Sequence, residues 1–285
     1  MPESRQHLSV SSSCRSNSIH SSYGRPRPTD PRRGETVTVK TFRRLPAIAL
    51  AAVAVITPVL AGTPSQAATL QADEGVTAAE KFGWTDALNR EDNFDTLDPA
   101  WGLYDGPGHA GNGVRSPEQV GVQDGILRID GTEDGTTGGM AWDEGQLHGR
   151  WETRAKYTAG TSAYHQVLIL WPDAEDFPVG GEIDYSEVSD SERQNLQFFL
   201  HYGENNDQVQ SETAVDMTQW HNYAVEWTPE HIIGYVDGVE FFRSEDPKTL
   251  PPRAMHPTIQ LDWFPEDGEA GPGSMEVDWI RQYTL

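Results

Sequence analysis

From Val120 to the C-terminus the apolar side chains recur at every second residue, not every 3.6 residues, and that period commits the chain to sheet. Val120-Gly-Val-Gln123 and Ile126-Leu-Arg-Ile129 read as short strands parted by Asp124-Gly125. Arg150 to Tyr157 and His221 to Trp227 alternate large and polar groups, while Tyr164 to Trp171 and Leu196 to Tyr202 are apolar runs of strand length. Ile232 to Phe242 predicts a hairpin, because Asp237-Gly238 suits a type I′ turn. Met275 to Tyr283 is a last strand. About a dozen short strands with hardly a helix imply an antiparallel sandwich or barrel.

Charge divides the chain. Residues 1–67 carry nine Lys/Arg and three Asp/Glu, which leaves 12 basic and 41 acidic residues after them. A body that acidic lacks the basic footprint of a nucleic-acid binder. Cys14 is the single cysteine, so neither a disulfide framework nor a Cys-rich zinc site is available. Residues 1–36 are rich in Ser, Arg and Pro and show no apolar period. They read either as a disordered leader or as untranslated sequence, with a start near Val37 or Val39. Residues 37–67 have the layout of a secretory signal: Lys40-Thr-Phe-Arg-Arg44, the apolar run Leu45 to Gly62, and a small-x-small site at Ser65-Gln-Ala67. Cleavage after Ala67 is favoured over a membrane anchor, because the run is broken by Pro46 and Pro58 and is barely the ~20 residues a span needs. Residues 68–89 are expected as a linker with at most a helical turn or two at Val76 to Phe82, and residues 90–285 as one domain. The expected product is exported, extracellular, monomeric and free of the membrane.

The chemistry concentrates in Gly180-Gly-Glu-Ile-Asp-Tyr-Ser-Glu-Val188. On a pleated strand Glu182 and Asp184 share a face, and Ile183 and Tyr185 point into the core. Glu187 stands five places from Glu182, and on a regular strand it would be turned inward, where a lone carboxylate is costly. One extra residue, a β-bulge, would restore it to the face of Glu182. Two carboxyls at about 5–5.5 Å suit retaining glycoside hydrolysis, in which one attacks ionised and the other delivers a proton. Spacing alone also admits three solvated acids on an exposed strand.

Glu182-Ile-Asp-Tyr-Ser-Glu187 resembles the E-x-D-x-x-E signature of glycoside hydrolase family 16. Leu147 to Lys156, Trp220 to Pro229, Gly234-Tyr-Val-Asp-Gly238 and Val277 to Tyr283 are similar to further segments of that family, in the same order. The resemblance implies an all-β, concanavalin A-like β-jelly-roll sandwich of two antiparallel sheets with a concave substrate cleft. It implies a secreted, endo-acting, retaining glycosidase, with Glu182 as nucleophile, Glu187 as acid/base and Asp184 as helper. The x-x spacing resembles the bulged branch that includes laminarinases, which points to β-1,3-glucan. A binding module that has lost catalysis, on the same fold, and a transglycosylase remain alternatives.

The sequence departs from the family in two places. Where members often carry two Trp four apart, this chain has His165 and Ile169, and the usual small, Gly-rich late segment is replaced by Ile259 to Phe264. Sugar clefts combine aromatic faces with amides and acids. The expected substrate contacts are therefore His201, Trp263, Trp142, His165 and Gln260. Trp151, Trp227 and Trp279 are expected in the core. Gly106-Pro-Gly-His-Ala-Gly111 satisfies a G-x-G-x-x-G pattern but has no βαβ unit around it, so it is read as a loop at the cleft rim. No cofactor is required by this reading. A structural calcium ion is possible on the convex face, as in some family members, although no twelve-residue calcium loop is present.

Overall fold

The computed structural model describes residues 75–285. The leader at 1–36, the export signal at 37–67 and the first part of the expected linker lie outside the described residues.

Two antiparallel sheets face each other. The inner sheet runs, in spatial order, Asp207–Ala214, Asn195–Tyr202, Glu182–Val188, Tyr164–Pro172, Met255–Trp263, Gly139–Trp142 and Trp101–Leu103. The outer sheet runs Val239–Ser244, Ile232–Val236, His221–Trp227, Gly149–Tyr157, Gly273–Tyr283, Ile126–Gly131 and Val120–Gln123, with Leu88–Asp92 also paired to Gly273–Tyr283. The β-jelly-roll sandwich expected from the period and the resemblance is the fold. The hairpin turn is as expected: Asp237 and Gly238 both have positive φ, at 48° and 66°.

Inward positions of the two sheets form the core. Ile183, Tyr185, Trp151 and Trp227 are completely buried there. Trp279, expected with them, is buried outside this cluster beneath the Arg281 guanidinium, because the register shift between Val277 and Trp279 gives the inward place to Ile280. Two polar pairs meet across this layer: Thr153 Oγ1 with Tyr185 OH at 2.9 Å, and Tyr157 OH with Ser186 Oγ at 2.8 Å. The ring of Tyr164 fits over two facing glycines, Gly131 and Gly273, which are register partners. A Cβ on either would lie 2.5–2.7 Å from its nearest ring atom, closer than packing allows.

The described part of the expected linker is packed, not free. Residues Ala78–Phe82 form a short helix capped by the Thr77 side chain. Its first two amides, Ala78 and Ala79, donate to the buried Glu152 carboxylate at 2.6 and 3.1 Å. Trp84 is 3% exposed and packs edge-on against Tyr235. The apolar content of this segment, Ala78, Ala79 and Trp84, covers a second face of the outer sheet, and that burial is what overrides its linker-like composition.

Candidate active site

The strand Glu182–Val188 lies near the middle of the inner sheet, and its pairing breaks register between Asp184 and Glu187. The same irregularity shows against the neighbouring strand, between Leu168 and Ile169. Tyr185 and Ser186 are consecutive, yet both are buried and both bond across the core. The inserted residue is the bulge, and it returns Glu187 to the cleft face. Glu182, Asp184 and Glu187 therefore line one pocket with His201, Gln260 and Asp262.

Register extends this face across the sheet. His165, Val167, Ile169 and Trp171 stand opposite Asp262, Gln260, Thr258 and His256. On the other side Glu182 stands opposite His201, and Asp184 opposite Phe199. The cleft continues past Trp171, Phe177, Tyr104 and Ala141, and these side chains link the acids to a further depression beside Asp173 and Glu175. Trp171 stacks on Phe177 at 5.2 Å, and its Nε1 donates to Glu175 Oε2 at 2.9 Å.

Electrostatics distinguish the acids. Burial first, then the carboxylates of Glu187 and Asp262, push Glu182 up to about 8. Burial also raises Asp184 well above the usual carboxylate range, helped by Glu182 and Glu187. The two share a hydrogen bond. Asp184 is the more deeply buried, so it keeps its proton longer and donates it to Glu182, which is the first of the two to ionise. His201 stands behind Asp184: its Nε2 is 3.5 Å from Asp184 Oδ2, and its Nδ1 is 2.7 Å from Asn206 Oδ1.

The expected substrate contacts separate by strand parity. Gln260 faces the cleft, and His201 reaches it beside Asp184. His165 is on the cleft face but 7% exposed, with its Nδ1 2.9 Å from Glu187 Oε1. Trp263 and Trp142 are turned to the other face. Trp142 is 3% exposed and stacks on Trp101 at 4.8 Å. The Trp263 ring lies against the backbone of Gly113 and Gly135, and its Nε1 is buried without a hydrogen-bond partner. Each follows from position: Gln260 and Asp262 point into the cleft, so Trp263 beside them points away.

Sequence reasoning missed Asp262, Arg115, His109, Trp171 and Phe177. Asp262 is 3% exposed and forms a close ion pair with Arg115, whose Nη1 also donates to Gln260 Oε1 at 3.0 Å. Gln260 Nε2 donates to Asp262 Oδ2 at 2.9 Å. His109 comes from the Gly-rich segment expected at the rim and Arg115 from the short strand Val114–Arg115 just after it, and both line the cleft. The i, i+2 spacing of Gln260 and Asp262, and of Ile169 and Trp171, was the available signal.

One trio of metal-ligating groups occurs among the described residues: Glu182, Asp184 and His201. It does not fit a structural calcium ion, which takes six to eight oxygen ligands, because one of the three is an imidazole and the site is on the cleft floor.

A family model described as "Glycosyl hydrolases family 16" matches residues 111–281. The chain is 26% identical over 176 residues to a beta-glucanase of Rhodothermus marinus, covering 52% of this chain and 60% of that protein. It is 26% identical over 147 residues to the endo-1,3-1,4-beta-glycanase EglC of Rhizobium meliloti, covering 49% and 31%. The match thus spans less than two thirds of either curated relative. In structure it is similar to the laminarinase catalytic domain of Thermotoga maritima, with a TM-score of 0.63 at 19% identity over 70% of this chain and 98% of that one.

Proposed function

The chain belongs to glycosyl hydrolase family 16, and from that premise we propose that it is an endo-acting, retaining β-glycosidase, with β-1,3-glucan as its substrate. One observation carries this reading. The bulge puts Glu187 on the same cleft wall as Glu182, with Asp184 between them bonded to Glu182. A protein that only bound sugar would have no need to bury several carboxyls together, which costs stability.

Each carboxyl then has a part. Glu182, ionised and held by the Asp184 proton, attacks the anomeric carbon. Glu187 gives its proton to the glycosidic oxygen as the C–O bond breaks, and a glycosyl ester forms on Glu182. Water then enters, Glu187 takes its proton, and the new C–O bond releases Glu182. As charge leaves Glu182 in the first step, its bond from Asp184 weakens, and in the second step the bond is restored. Trp171 and Phe177 offer ring faces for neighbouring sugars, and Gln260 and His201 offer hydrogen-bonding groups.

The glucan assignment is supported by the bulged motif and by the curated relative named as a beta-glucanase. Export is supported by the sequence of residues 37–67, with cleavage after Ala67 and an extracellular monomer as the product. No helix among the described residues is long and apolar enough to cross a membrane.

Reducing-end release by residues 68–285 on laminarin, lichenan, agarose, carrageenan and xyloglucan tests the reading. Cleavage of laminarin, lost at least a thousandfold in Glu182→Gln, is expected. Silence on all five from folded protein would overturn it in favour of a binding module. Longer products formed with added oligosaccharide would identify a transglycosylase instead.

A further inference from the structure

His165 occupies a place where the sequence pattern offered an aromatic sugar platform, but the structure turns it to another task. The ring is 7% exposed, too covered to stack on a substrate. Its Nδ1 lies 2.9 Å from Glu187 Oε1, on the adjacent strand. Its Nε2 is buried and makes no hydrogen bond, with Asp267 Oδ2 3.3 Å away. Its face stacks on Phe264, centroids 4.1 Å apart and planes 26° from parallel. Phe264 packs in turn against His109, centroids 4.7 Å apart and planes tilted by 39°.

Both flanking groups are themselves fixed. Phe264 N–H donates to Ala163 O at 2.7 Å, and Asp267 N–H donates to Phe264 O at 3.0 Å, which closes a tight turn. Ser162 Oγ donates to Asp267 O at 2.7 Å. The charged groups around the imidazole are therefore Glu187 on the next strand, Asp267 on the turn, and Asp262 on the facing strand with its Arg115 partner. The ring has one orientation set by stacking and one carboxyl oxygen to hold.

We propose that His165 is the positioning residue for Glu187. By engaging Oε1 it leaves Oε2 as the oxygen that meets the glycosidic oxygen, so the proton that Glu187 gives and recovers is carried on Oε2. A glutamate facing an open cleft has three rotatable bonds, and an unheld carboxyl would sample many orientations. Misplacement of about 1 Å can cost ~100-fold in rate. The bulge brings Glu187 to the right face, and His165 sets the angle of its carboxyl.

This inference rests on Glu187 being the acid/base, and the experiment separates the two. kcat/KM is measured on laminarin, whose leaving group needs a proton, and on 2,4-dinitrophenyl β-laminaribioside, whose leaving group does not. Glu187→Gln is the reference. His165→Phe keeps the stack on Phe264 and removes Nδ1, and His165→Asn keeps a polar atom near the Nδ1 position. Asp267→Ala, at the half-exposed rim, provides a variant that does not disturb the core.

His165→Phe is expected to lose about tenfold or more on laminarin and less than about threefold on the aryl glycoside, a part of the ~10²–10⁴ that acid catalysis supplies. His165→Asn is expected to recover most of the loss, and Asp267→Ala to show the same selectivity at smaller size. Equal losses on both substrates, or none, in folded His165→Phe or in Asp267→Ala would overturn the inference while leaving Glu187 in place. If Glu187→Gln itself shows no dependence on leaving group, the assignment of the acid/base fails, and this inference with it.

Discussion

Removing Arg115 would leave the Asp262 carboxylate at the cleft floor with only the His109 imidazole, 3.7 Å away, to oppose its charge. The pair is nearly dry, with side chains 12% and 4% exposed. Deleting one partner of a buried pair typically costs about 3–5 kcal/mol. Asp262 retains the Gln260 Nε2 donor at 2.9 Å, so the lower end, about 3 kcal/mol, is expected for Arg115→Met. For a domain of this size that lowers Tm by roughly 6–12 °C. The loss should depend on pH. Burial already raises the Asp262 carboxyl, and Arg115 is the main group opposing that rise. Without the cation the carboxyl climbs further, and a raised carboxyl stabilises the fold below its unfolded value and loses that contribution as pH rises through its folded value. Thermal unfolding of wild type and variant at pH 5 and pH 8 should therefore show the larger gap at pH 8. Arg115→Met with Asp262→Leu removes both charges and should recover most of the stability. A single-variant loss under about 1 kcal/mol, or one equal at both pH values, would refute the reasoning.

Two more expectations concern the scaffold. Burial pushes the Glu152 carboxyl up to about 7 against the amides of Ala78 and Ala79, so its contribution is full below its ordinary value and falls away as pH rises through 7. Up to about 3 kcal/mol should be lost on that account between pH 4.5 and pH 8, and Glu152→Gln should flatten the slope in denaturant titrations; an unchanged slope would sink the assignment. Gly131→Ala should cost about 1–3 kcal/mol by driving a Cβ into the Tyr164 ring, read as a lower urea midpoint, while Gly131→Ala in a Tyr164→Ala background should add little.

The sheet was legible because alternation survives wherever one face meets the core, as at Ile183 and Tyr185. The bulge was legible for the same reason: a buried, unpaired Glu187 was too costly to accept. What escaped was orientation within runs that carry no alternation. Tyr164 to Pro172 is covered on both faces, so hydropathy does not separate Trp171, a cleft residue, from Leu170, a core residue, and only the two-residue spacing from Ile169 could. Trp263 misled because an aromatic near an amide looks like a sugar platform, while its parity assigns the cleft to Asp262. Arg115 was out of reach of local reasoning, since its partner lies 147 residues away. The Ala78–Trp84 segment failed on length: three small or aromatic residues are too few to show a period, yet enough to bury against a finished sheet.

The pairing of Leu88–Asp92 with Gly273–Tyr283 has a consequence for how the molecule comes into being. Thr284 N–H bonds Ala87 O at 2.9 Å, a closure between groups 197 residues apart. During synthesis the earlier strand must wait for almost the whole remainder of the domain before its partner exists. Glu152 can receive the Ala78 amide sooner, but the ledge that shelters Trp84 includes Tyr283. A topology closed by its two ends folds slowly and late, since the loop entropy is spent before the contacts are gained. Such a domain gains its last fixed pairing only when Ile280 to Tyr283 are free to meet a strand made almost two hundred residues earlier, so it is the outer sheet's edge, not its centre, that sets when the fold is finished.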